Sequence, residues 1–223
     1  MQKVTLINTQ HTSHGKCNSA ELLKILSSIK PDVIFCECTE QAHKIFKKHF
    51  RYEDSLVELV SIEEYVESND AIAIYIDIDI NNSVFNDGIN DMFKFFNKHD
   101  TYKVLEQHHY ESLHSRGFEY LNSEECIGLI QAKKQKEVEL LEFGGMMKQR
   151  LNELYTRFSL EIDEREDAMV DRIYTYSKNN IYKQAVFIIG CGHRESIMEK
   201  VTLMNSISDI KLNWSYDISN LSD

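Results

Sequence analysis

Two segments far apart in the chain share one form: a run of apolar residues, a break on small or polar residues, then a histidine. They are Val186-Phe187-Ile188-Ile189-Gly190-Cys191-Gly192-His193 and Lys3-Val4-Thr5-Leu6-Ile7-Asn8-Thr9-Gln10-His11. Each reads as a buried parallel strand that stops abruptly. In an open α/β sheet the crevice beyond the carboxyl ends of the strands is where ligands bind. If both strands run the same way in one sheet, His11 and His193 meet at one rim. Asp32-Val33-Ile34-Phe35-Cys36-Glu37 adds a third strand that delivers Glu37 to the same edge, and Asp77 follows a fourth, Ala71 to Ile76. Two histidines with one or two carboxylates form a common donor set for a catalytic divalent ion that keeps a position open for water. Without a metal, the same groups suit a general base and an oxyanion stabiliser.

Elements that position these residues can be read from periodicity. Asn18 caps a helix whose Leu22, Leu23, Ile25, Leu26 and Ile29 form one face, and Pro31 stops it before the second strand. Strand, helix, strand is the right-handed crossover unit of a parallel sheet. Residues 39 to 50 read as a basic amphipathic helix and Ile62 to Ser68 as a short one. From about 87 to 178 strand signals are absent, which predicts a long helical insertion over the strand-end rim. Within it Phe143-Gly144-Gly145-Met146 predicts a kink or close packing. His108, His109 and His114, and the charged run Lys133 to Glu139, read as solvated helix faces. Glu161 to Tyr176 places Arg165, Ala168, Met169, Arg172, Ile173 and Tyr176 on one stripe. Arg165 thus leads an inward face and needs an anion: Glu37, Asp77 or a ligand carboxylate, unless it snorkels to water. A helix from Glu195 and a last strand, Ile210 to Trp214, close the chain. Asp77 and Asp79 share one face by the period of two, either as a ligand pair or as a solvated edge.

Composition narrows the function. A chain of 223 residues, 42% hydrophobic with a single proline, predicts one α/β domain over residues 1–223. Its net charge of -11 argues against nucleic acid as partner. No signal peptide or apolar run of membrane-spanning length is visible, so a soluble, cytoplasmic protein is expected. Five cysteines without framework spacing predict reduced thiols. Cys36, Cys38 and Cys191 at neighbouring strand ends are either small buried residues or a separate soft-metal site.

The ordered blocks I-N-T-Q-H-T-S, K-P-D-V-I-F-C-E, Y-I-D-I-D-I, E-R-E-D-A-M and V-F-I-I-G-C-G-H resemble the TraB/PrgY family and the related Tiki metalloproteases, in the superfamily of the erythromycin esterase and ChaN-like folds. The blocks run through nearly the whole chain. The resemblance implies that His11 and His193 match the two motif histidines, Glu37 the strand-end glutamate, Arg165 the helix arginine and Asp77 the aspartate after the third strand. Asn8 stands where the family has a glycine, and Glu166-Asp167 shifts the acidic neighbour of the arginine. Tiki relatives imply a divalent-metal-dependent peptidase. His11, Glu37 and His193 would hold manganese, cobalt or zinc; Arg165, Asp77 and His14 would bind a peptide or small-molecule substrate. The rivals are a peptide-binding protein without catalysis and a metal-free, esterase-like hydrolase with His11 or His14 as base. The oligomeric state is open, a homo-oligomer included. A histidine at a rim turn is expected to be removable without loss of the fold.

Overall fold

The computed structural model describes residues 1–49, 56–79 and 83–218. Strands β1 (Lys3–Thr9), β2 (Val33–Cys36), β3 (Ile72–Tyr75), β4 (Gln184–Gly190) and β5 (Asn213–Ser215) form one sheet in the order β3-β2-β4-β1-β5. Every pairing is parallel. The fold is therefore α/β, and the expected last strand lies a few residues further on than its apolar residues suggest.

Alternation along the strands divides two cores. Ile7, Ile34, Val186 and Ile188 face α1 (Ser19–Ile29) and α3 (Val57–Ser68), whereas Val4, Leu6, Phe35 and Phe187 face the opposite layer. Each such fully buried side chain contributes roughly 1.5–3 kcal/mol. As a continuous apolar run predicts, these strands are covered on both faces. Helix α1 starts where Asn18 accepts the Glu21 N–H at 3.0 Å, and it ends at Lys30, in the left-handed region with φ 54°, just before Pro31.

Helix α2 (Glu40–His49) lies beyond β2, and the helices between β3 and β4 are α4 (Ser83–Phe96), α5 (Asp100–Arg116), α6 (Phe118–Leu121), α7 (Glu124–Leu141) and α8 (Lys148–Asn179). Helix α9 (Arg194–Ile207) follows β4 after a single 3-10 turn, Cys191–His193. The paired glycines do not kink a helix. They lie in the reversal between α7 and α8, where Gly145 takes φ 55° and a Cβ on Gly144 would stand 2.9 Å from Lys148 Cα. Nor are all the polar residues of the insertion solvated. His109 is buried against the Tyr120 hydroxyl at 2.9 Å, and Glu137 is buried between the hydroxyls of Tyr102 and Tyr155 at 2.7 and 3.2 Å. The neighbours of each in sequence are polar, which suggests a solvated face, but its own turn of helix faces inward.

No helix among the described residues is long and apolar enough to cross a membrane.

Candidate active site

Because β4 lies between β2 and β1, its last residue, Gly190, sits between the ends of the strands that carry Glu37 and His11. A Cβ on Gly190 would stand 3.4 Å from Glu37 Oε2, 3.7 Å from His193 Cδ2 and 3.8 Å from His11 Nε2. Glycine leaves that space free. His11, Glu37 and His193 therefore converge at one rim, and Arg165 joins them from α8.

Glu37 is the hub. Its Oε1 accepts from Arg165 Nη2 at 2.7 Å and lies 3.2 Å from His193 Nε2, while Oε2 accepts the Gly190 N–H at 2.8 Å. Burial alone would push this carboxyl up, but the His193 hydrogen bond and charge, the Gly190 N–H and His11 outweigh it and hold it at about 2. Arg165 also grips Asp77 through two bonds, Nε to Oδ1 at 3.0 Å and Nη2 to Oδ2 at 2.7 Å. Asp77 and Asp79 do not act as a pair. Only Asp77 meets Arg165; the chain leaves the strand geometry after Tyr75, and Asp79 is exposed.

Two carboxylates that the sequence did not single out complete the network. Glu58, in the first turn of α3, accepts from Thr9 Oγ1 at 2.5 Å and stands 3.1 Å from His11 Nδ1. Glu166 stands 2.6 Å from His193 Nδ1 and accepts from Ser196 Oγ. Sequence reading began α3 at Ile62, which hid Glu58; Glu166 was visible only as a departure from the family's arginine motif. The Glu58 bond raises His11 to about 8 against the effect of burial. Burial pulls His193 down, but Glu166 and Glu37 outweigh it and raise it to about 9.

His193 does not project freely from the rim turn. Its side chain is only 13% exposed and bridges two buried carboxylates. His14 lies apart from this group, edge-on to Tyr110 and 3.1 Å from Thr12 Oγ1. Asn8, which stands where the family that the sequence resembles has a glycine, accepts from the buried Arg194 Nη1 at 2.6 Å, while Asn122 of the helical insertion bonds both its N–H and its carbonyl. The Asn8 side chain thus ties β1 to α9, and its backbone ties β1 to the insertion.

The three thiols at the strand ends do not assemble a second site. Cys36 is buried under the sheet, and Cys191 turns toward Cys126 of α7, whose thiol is acidified by its hydrogen bond from Cys191. Among the described residues no three His, Cys, Asp or Glu side chains are already arranged to hold an ion.

A cavity of about 490 Å³ opens in front of Glu37, lined by His11, Glu58, Asp77 and Arg165 and walled by Leu56, Ile78, Phe158 and Ile162. His193 lies behind Glu37 and does not line it.

Two predictions follow from this geometry. Gly190 has φ -58° and ψ 141°, which any residue adopts. Gly190→Ala is therefore expected to fold with unchanged thermal stability while its methyl fills the space between Glu37 and His11; if the rim turns over a substrate, the rate should fall at least tenfold, and an unaltered rate would mean that the space is not used. The second concerns pH. The raised histidines contribute stability that is complete below their ordinary 6.5 and is lost as pH rises through about 8 and 9. The depressed Glu37 contributes above its ordinary 4.5 and loses that as pH falls through about 2. Chelator-treated protein should be most stable between these two ordinary values, and its Tm should fall as pH rises to 9. A level Tm on the alkaline side would contradict the ion pairs.

The chain matches no family model, no curated protein and no solved structure.

Proposed function

We propose that the chain is a divalent-metal-dependent hydrolase acting on peptide bonds, as its resemblance to the TraB/PrgY and Tiki proteins implies. The observation that carries this reading is the matched support of His11 and His193. Each Nδ1 is tied to a buried carboxylate, which leaves each Nε2 directed toward Glu37 and the space over Gly190. A carboxylate on the far nitrogen is the usual partner of a metal-ligating histidine, since it fixes the tautomer and raises ligand basicity. The donor chemistry fits: two imidazole nitrogens and one carboxylate, from His11, His193 and Glu37, would suit manganese, cobalt or zinc. When bound, such an ion would lower the pKa of a water and polarise a carbonyl.

The chain's own residues supply the rest. Arg165 fixes Glu37 through its 2.7 Å hydrogen bond, and its Nη1 makes no hydrogen bond among the described residues. Arg165 lines the cavity, so that donor would be available to a substrate carboxylate or a developing oxyanion. Asp77 holds the guanidinium in this pose, and Phe158, Ile78 and Ile162 line the cavity beside it.

A second reading, a metal-free hydrolase, is favoured by one contact: His193 Nε2 already stands 3.2 Å from Glu37 Oε1, an acid–base pair that needs no ion. Metal analysis of untagged protein beside a peptidase assay tests both. The first reading expects one ion per chain and hydrolysis that is lost on chelation and restored by metal. Chelator-insensitive hydrolysis selects the second, and peptide binding without turnover in any metal overturns both.

A further inference from the structure

The candidate site does not end at its own cavity. A second groove, of about 770 Å³, shares Thr39, Asp77, Ile78 and Asp79 with the first and runs from them along β3. Ile74 and Tyr75 of β3, the edge strand of the sheet, line it. β3 pairs with β2 alone among the described strands. Ile72 donates to Asp32 O and Ile76 to Cys36 O, each at 3.1 Å, so by the period of two the backbone N–H and C=O groups of Ala73 and Tyr75 point away from β2. Helix α2 borders the groove on one side through Gln41 and Lys44, and α8 on the other through Thr175 and Tyr176. An edge that no described strand covers, bordered by two helices, is a template for strand addition.

Charge at the junction narrows the occupant. Asp77 is neutralised by Arg165, Glu40 lies 3.8 Å from Lys44, and Arg172 is bonded to the Asp77 carbonyl at 2.6 Å. Asp79, which lines both cavities, is exposed and pairs with no cation among the described residues. A cation seated there would compensate the last open carboxylate of the passage.

We propose that the edge of β3 is the docking strand for an extended peptide, which adds to the sheet beside Ala73 and Tyr75 and sets a basic side chain against Asp79 as it enters the site. The peptide class rests on the hydrolase reading; the strand pairing and the cation preference do not.

Fluorescence anisotropy of the full chain in chelator, with a fluorescein-labelled heptapeptide of alternating valine and threonine bearing a central lysine, tests the docking without turnover. Saturable binding is expected, weakened at least tenfold by N-methylation of alternate residues in one register but not in the other, because only one set of N–H groups meets the sheet. Asp79→Asn should weaken the lysine peptide about tenfold and leave its threonine counterpart unchanged. Equal tolerance of both methylated registers, equal loss for both peptides, or a second copy of the chain on this edge would overturn the proposal. Docking with no hydrolysis in any metal overturns only the hydrolase reading, and hydrolysis indifferent to methylation overturns only the docking.

Discussion

Arg165→Ala is expected to lower stability by about 3–5 kcal/mol, the range for removing one partner of a buried ion pair. The guanidinium is the shared counter-ion of Glu37 and Asp77, whose side chains are 5% and 10% exposed, through three hydrogen bonds of 2.7 to 3.0 Å. Its removal leaves Glu37 with His193 and the Gly190 N–H, and strips Asp77 of its cation. Arg165→Lys should recover only part of the loss, because one ammonium cannot reproduce the two-point grip on Asp77. Combining Arg165→Ala with Asp77→Asn should cost less than the sum of the single changes, since the uncompensated charge is then gone. Denaturant unfolding at pH 7 with an unchanged m-value measures this. A loss below about 1 kcal/mol would place the pair among solvated surface bridges.

What sequence could and could not foretell follows from the range of each signal. The apolar runs around Leu6, Phe35 and Phe187 and the helical spacing near Arg165 are local patterns, and the parallel sheet and the inward arginine followed from them. Glu58 and Glu166 carry no such signature. A glutamate in the first turn of one helix and another in the middle of a charged one look like ordinary solvated residues. Only the packing of α3 and α8 against the rim shows that each is buried on a histidine. His109 and Glu137 escaped for the same reason, since a polar residue is satisfied by a hydroxyl that arrives from elsewhere in the chain. Asn8 is the instructive case. Against a family motif it is a lapse from glycine, whereas in the fold it is the acceptor for a buried arginine.

The two histidines should respond differently to removal. The His11 side chain is 57% exposed, and Glu58 keeps Thr9 as a donor when the imidazole is gone. His11→Ala is therefore expected to fold with a Tm near that of the parent at pH 7. His193→Ala should fold less stably, because Glu166 would keep Ser196 alone and Glu37 would lose a partner. In activity the two should converge. If both Nε2 atoms serve the same ion, either change should abolish tight divalent binding and reduce hydrolysis by more than the 10–100-fold that outer-shell partners are typically worth. Equilibrium dialysis with manganese, cobalt and zinc, run beside the peptidase assay and a thermal melt, separates the cases. Loss of turnover with metal content unchanged in both variants would convert the histidines to acid–base residues of a metal-free site. If His11→Ala retains full turnover while His193→Ala merely melts earlier, the energy of the network lies in the ion pairs around Glu37, and the rim is a structural clamp with no chemistry of its own.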